Sequence, residues 1–321
     1  MSKILAQPGE VAAIPAPSLV LVPASGPVVK ADGHTRLASA LIRRKTVDLF
    51  RYLPLALTGD EEAIHQLRVS GRRLRVALTL LAAKPDGRRA KRARKLLRQI
   101  TRTAGHSRDL DVLLESYDGR LKALPSPTGE QQLLCHRLAT ARRRSRGRMV
   151  ESLLDLEISR LRADLAALIA RGGPPPSVVC ERFAADSQRE FLYLQEGFAK
   201  LGPHLDAEEL HALRRRARSV RYAVEVFDQV RNFESAATKP WKALQGLIGV
   251  IHDHHMLANW FDAEAKADHK AGKQALAAAA RNEANWARST MGQLHAQFLA
   301  ADPMAIVAMG LAALGQTAQR D

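Results

Sequence analysis

A chain of 321 residues with 46% hydrophobic side chains is long enough to bury a substantial core, which excludes disorder throughout. Only 5% of the residues are aromatic while Ala, Leu and Arg abound, a balance that disfavours a sandwich or barrel and predicts an all-α fold. The formal charge of +16 implies a field of one sign over much of the surface, which favours polyanions: nucleic acid, anionic lipid or phosphate polymers.

In chain order, residues 1–34 read as a flexible Pro/Ala-rich tail, broken by Pro8, Pro15, Pro17, Pro23 and Pro27 and lacking the ordered zones of a secretory signal. Helical periodicity begins near His34 and is interrupted at "LPLALTGD", "KPDG" and "LPSPTGE". Asp60 is the expected N-cap of the helix that opens "EEAIHQLRVSGRRLRVALTLL", with Glu61 and Glu62 in its first turn. The strongest internal break is "RGGPPPS", so residues 35–170 and 178–300 are expected to be two helical halves joined by a linker over 171–177. Residues 301–321 form a C-terminal apolar segment whose run "MAIVAMGLAALG" is too short to span a bilayer, and it reads as a terminal packing helix. Cys135 and Cys180 sit in no zinc or CxxC spacing, which fits a reducing cytoplasm and signals neither a disulfide nor a structural metal.

The halves resemble one another. "IHQLRVSGRRLRVAL" at 64–78 aligns without gaps to "LHALRRRARSVRYAV" at 210–224, placing His65, Arg68, Arg72 and Arg75 on His211, Arg214, Arg218 and Arg221. "AGHSRDLDVLL" at 104–114 matches "IGVIHDHHMLA" at 248–258, with Gly105 and Asp109 on Gly249 and Asp253. An internal repeat outweighs any single motif. On a helical wheel His65 stands at 0°, Arg72 at about 340°, Arg68 at about 300° and Arg75 at about 280°. Ile64, Leu67, Leu74, Leu78 and Leu81 fill the adjoining arc from about 160° to about 260°. The cationic ridge therefore borders the buried face, and its guanidinium groups are expected at the edge of a groove or cavity.

Guanidinium charges about 6 Å apart repel by roughly 3 kcal/mol at an effective dielectric near 20, so such crowding needs an anion. Asp109 and Asp253 are expected to orient a few arginines, but two carboxylates cannot balance the paired ridges. Arginine suits phosphate oxygens through its planar fork, and histidine adds a donor whose charge rises as phosphate approaches. Two ridges lining both walls of one channel would hold a phosphate chain along its length. The stretches "GRRAKRARKLLRQITR" at 87–102 and "RRRSRGR" at 142–148 have no repeat partner and read as solvated faces, with Arg98 or Arg102 the residues placed to reach the same site.

These elements resemble the CHAD family, the conserved histidine α-helical domain. The first-half pattern is carried by His65, Gln66, Leu67, Arg68, Val69, Arg72, Arg73, Leu74 and Arg75, and the Arg-Asp-x-Asp-Val element by Arg108, Asp109, Leu110, Asp111 and Val112. The second-half pattern is carried by Leu210, His211, Arg214, Arg218, Arg221, Tyr222 and Glu225, and the last element by Leu244, Gln245, Gly249 and Asp253. Departures are Ser219 and Val220 in the second ridge, His252 where Asn is common, and Ala104 before Gly105. The resemblance, over about residues 35–300, implies two helical bundles related by a pseudo-two-fold axis around a central basic cavity that binds inorganic polyphosphate, and association with cytoplasmic polyphosphate granules. The expected binding set is His65, Arg68, Arg72, Arg73, Arg75, Arg108, His211, Arg214, Arg218, Arg221, Tyr222 and Lys242, with Asp109 and Asp253 as organising carboxylates.

No cofactor is expected, and no enzyme: arginines do not exchange protons near neutrality, and no acidic triad or metal-type carboxylate cluster accompanies the ridge histidines. "HDHH" at 252–255 raises a metal site through His252, Asp253 and His255, but its repeat partner "SRDL" has no such set, so none is expected. The alternative is a nucleic-acid-binding helical protein, since Arg also recognises that backbone. Against it stand the few aromatic platforms, with Tyr222 alone on the ridge, and a ridge beside the apolar face rather than opposite it.

Overall fold

The computed structural model describes residues 33–202, 204–232 and 238–318. The expected tail therefore lies outside the described residues, save its last two positions. Among the described residues the chain is all helical: α1 (Gly33–Leu57), α2 (Glu61–Leu81), α3 (Arg88–Ala123), α4 (Gly129–Leu154) and α5 (Ile158–Ala170) are followed by α6 (Pro176–Lys200), α7 (Ala207–Arg231), α8 (Thr238–Lys270), α9 (Gln274–Ala300) and α10 (Pro303–Ala318).

Local chemistry sets the ends that matter. The Asp60 carboxylate accepts from the Ala63 backbone N–H at 2.6 Å, and Glu61 and Glu62 occupy the first turn of α2. The start of α7 is built alike: Asp206 accepts from the N–H groups of Glu208 and Glu209. At the far end of α7, Asn232 adopts the left-handed conformation that stops the helix. Thr128 and Gln131 make a reciprocal capping box at α4. One expectation needs correcting. The break at "LPLALTGD" falls only at Thr58–Asp60, because α1 runs through Pro54 and forgoes the hydrogen bond that residue lacks.

Packing recurs between the two sets of five helices. In the first, α1 lies on α2, α2 on α3, α3 on α4, and α5 rests on α3 and α1. In the second, α6 lies on α7, α7 on α8, α8 on α9, and α10 rests on α8 and α6. The sets meet through corresponding helices: α2 with α7, α3 with α8, α4 with α9.

Both apolar clusters draw on both sets. The larger joins Ile64, Leu67, Leu74 and Leu78 of α2 to Leu210, Leu213, Val220 and Val224 of α7. The smaller joins Leu110, Tyr117 and Leu138 to Leu257, Phe261 and Ala284, with the Tyr117 and Phe261 rings edge to face at 4.8 Å. Ala31–Asp321 is correspondingly one compact unit. The connection at 171–177 is packed within it: a Cβ on Gly173 would stand 2.2 Å from the Ala38 Cβ, so only glycine lets α1 approach there.

Candidate anion site between helices α2 and α7

Burial of Ile64, Leu67, Leu74 and Leu78 fixes the rotation of α2, and burial of Leu210, Leu213, Ala217 and Val220 fixes that of α7. The residues bordering each stripe must then emerge where the two helices meet. There the ridges come together. Burial pulls the Arg72 guanidinium down to about 9, and the next influences are the neighbouring charges of Arg218 and Arg68. Arg218 is drawn to about 10, by burial first and then by Arg214. Arg75 is lowered by burial and by Arg98. Cations from both helices thus share one desolvated space.

Six guanidinium groups, those of Arg72, Arg75, Arg98, Arg102, Arg215 and Arg218, line a cavity of about 370 Å³. Thr101, Ser219 and Tyr222 add hydroxyl groups, and among the described residues no carboxylate lines it. Arg98 and Arg102 join because α3 continues unbroken beneath α2. Gly71 permits that approach, since a Cβ there would meet the Thr101 Cγ2 at 2.7 Å and the Leu49 Cδ1 at 3.6 Å.

Deeper along the ridges, each half lays an arginine against the glycine and acid of its neighbouring helix. The Arg68 Nη1 donates to the Gly105 carbonyl and to the Asp109 carboxylate, both at 3.0 Å. Arg214 lies over Gly249, where an added Cβ would stand 3.4 Å from its Nη2. Burial lowers the Arg214 basicity while the fields of Asp253 and Asp109 support it. Burial raises Asp253 above the usual carboxylate value against the pull of Arg214. The Nε donors of Arg68 and Arg221 are buried without a hydrogen-bond partner among the described residues.

The histidines sit at the helix starts. His65 is held below its ordinary value by burial and then by Arg108, and His211 by burial and then by Arg215. The Nδ1 atoms of His211 and His252 are 3.1 Å apart, so one ring donates and the other accepts. Burial, then Arg214 and His211, push His252 down to about 3. His252, a departure from the family pattern, is therefore the partner of the second-ridge histidine.

Several expected binders stand elsewhere. Arg73 turns away: its Nε donates to Glu225 at 2.9 Å, and it lines a different cavity. Its wheel position, about 80° from His65, was the available signal. Arg221 also meets Glu225, at 3.3 Å, and both guanidinium groups approach the buried Tyr222 ring, at 5.7 Å for Arg73 and 4.8 Å for Arg221. Arg108 is tied to Glu61 at 2.7 Å and lies 3.9 Å from Asp111. Lys242 is exposed on α8 and lines neither cavity. The 142–148 stretch is not wholly a solvated face, because Arg142 and Arg146 hold the buried Asp111 carboxylate, at 2.5 and 3.0 Å. Sequence reasoning missed Arg215 as a lining residue and Glu225 as the counter-charge that holds Arg73 and Arg221.

Among the described residues no group of three His, Cys, Asp or Glu side chains is placed to hold a metal ion. "HDHH" disperses instead: His252 goes to His211, His254 to the Val250 carbonyl, and His255 accepts from Asn259. No helix among the described residues is long and apolar enough to cross a membrane.

The sequence pattern of the CHAD domain matches residues 40–262, which takes in both ridges and both glycine-acid elements. The chain belongs to the CHAD domain family. Its fold is similar to the crystal structure of the CHAD domain from the plant Ricinus communis, at 22% identity over 87% of this chain and 92% of that one, with a TM-score of 0.60. It is also similar to PptA from Streptomyces chartreusis, at 19% identity over 81% and 98% of the two chains, with a TM-score of 0.56. No curated protein matches it. Helices α9 and α10 lie beyond the matched residues.

Proposed function

We propose that the space between α2 and α7 binds inorganic polyphosphate, without chemistry of its own, and that this binding brings the protein to polyphosphate granules in the cytoplasm. The observation carrying the reading is the cavity lined by six guanidinium groups and no carboxylate among the described residues. Cations crowded there at low dielectric repel one another, and a chain of phosphates relieves that repulsion while taking up paired N–H donors. Arg72 and Arg218 keep their charge at neutral pH even at their lowered values of about 9 and about 10, so the potential is present when ligand arrives. A binding role suits the residue set, which offers donors rather than a nucleophile with a poised base.

Competition tests this. Labelled polyphosphate bound to the protein is displaced by unlabelled polyphosphate and by duplex DNA at equal phosphate concentration and fixed salt. Polyphosphate is expected to displace far better, since a slim chain enters a partly enclosed space that a duplex does not. Stronger displacement by DNA would reverse the assignment. A labelled copy imaged in cells with and without polyphosphate tests granule association.

A further inference from the structure

On the other side of α2, facing α1 and α7, lies a second cavity of about 360 Å³. Its lining includes Arg44 and Lys45 of α1, Arg73 of α2, and Glu225 and Gln229 of α7. Lys45 is only 6% exposed, yet among the described residues no hydrogen bond or ion pair engages its ammonium. A buried ammonium with no counter-ion beside a partly enclosed space is costly, and an anion held there relieves it.

We propose that this cavity is a second anion site, separate from the ridge, that takes a protonated oxyanion of orthophosphate size. The cations Arg44, Lys45 and Arg73 supply the attraction. The carboxylates Glu225 and Asp48 select an anion that still carries a hydroxyl, because a carboxylate oxygen accepts from P–OH and repels a bare oxyanion. Hydrogen phosphate fits this pattern and sulfate does not. The inference goes beyond the polyphosphate reading and stands if that reading fails.

The groups facing Lys45 fix its protonation. Burial lowers it to about 8, Glu225 and Asp48 support the charge, and Arg44 and Arg73 oppose it. An anion beside it raises that value again, so binding at mildly alkaline pH is accompanied by proton uptake.

The test is calorimetric titration of the full chain with orthophosphate and, separately, sulfate. It uses an Arg72→Ala, Arg218→Ala background that weakens the ridge, with and without Lys45→Met. Circular dichroism reports whether each variant is folded, and Lys45→Arg supplies a second variant that keeps the charge. Orthophosphate is expected to bind the ridge-weakened protein, at least about tenfold more tightly than sulfate. Uptake of protons is read from heats in buffers of different ionisation enthalpy. Lys45→Met is expected to weaken orthophosphate by about tenfold or more, and Lys45→Arg to retain much of it but abolish the proton uptake. Equal orthophosphate affinity with and without Lys45, or no preference over sulfate, overturns the proposal. Polyphosphate titrated into the otherwise unaltered protein reads the ridge independently, so the two assignments fail separately.

Discussion

Arg218 of α7 stands so close to Arg72 of α2 that, after burial, it is the largest influence lowering the basicity of Arg72. Two like charges from two helices are held together at the cost of stability, and an anion reverses the sign of their contribution. Arg72→Ala and Arg218→Ala should therefore leave the free protein as stable as before or more so, while weakening polyphosphate by about 1–3 kcal/mol each. Thermal melts without ligand and binding isotherms with it check the two halves of this prediction.

Glu225 serves the opposite role. It receives Arg73 and Arg221, one from each ridge helix, and its side chain is only 15% exposed. Glu225→Gln should cost about 1–3 kcal/mol in urea unfolding of the free protein, because two partly buried guanidinium groups lose their counter-charge. The loss should shrink in saturating polyphosphate, which supplies negative charge near Arg221.

Acid should act differently on free and bound protein. His65, His211 and His252 titrate below 6.5 in the fold, so the unfolded chain binds more protons beneath that value. The stability they contribute is present above pH 6.5 and lost as pH falls towards 3. Asp253, raised in the fold, opposes them in the carboxylate range. A phosphate chain raises the ridge histidines, so polyphosphate affinity should increase as pH drops through the histidine range. Melting temperatures at about pH 7.5 and about pH 5, each with and without polyphosphate, show the opposed slopes.

Gly71→Ala should destabilise although alanine favours a helix by about 1 kcal/mol. The new methyl meets the Thr101 Cγ2 at 2.7 Å, within the buried contact of α2 with α3. Displacing Thr101 also reshapes the cavity it lines, so a net loss of about 1–2 kcal/mol in chemical unfolding should be accompanied by weaker polyphosphate binding.

Much of the site was legible because it is periodic. Arg72, Arg75 and Arg218 share an arc bordering an apolar stripe, and burying the stripe leaves those groups one place to go. The first acid motif was readable too, for Asp109 meets Arg68 directly. What escaped was tertiary. Glu225 sits on the same helix as the second ridge, but its partner Arg73 is on another helix, and no local spacing encodes that meeting. The basic 142–148 stretch looked solvated because Asp111, which accepts from Arg142, is one full helix away. Arg98 and Arg102, by contrast, were named from the sequence as the residues of 87–102 placed to reach the site, and they line the cavity from α3, which packs on α2.

The smaller apolar cluster has a consequence for synthesis on the ribosome. Tyr117 and Leu138 leave the exit tunnel early, yet the side chains that cover them, Phe261 and Ala284, emerge more than a hundred residues later. Until then α3 and α4 wait with their greasy flank open to water and to other nascent chains. A cell making this protein must shield that interval, and a message truncated near Gly172 would yield a fragment with no way to close it.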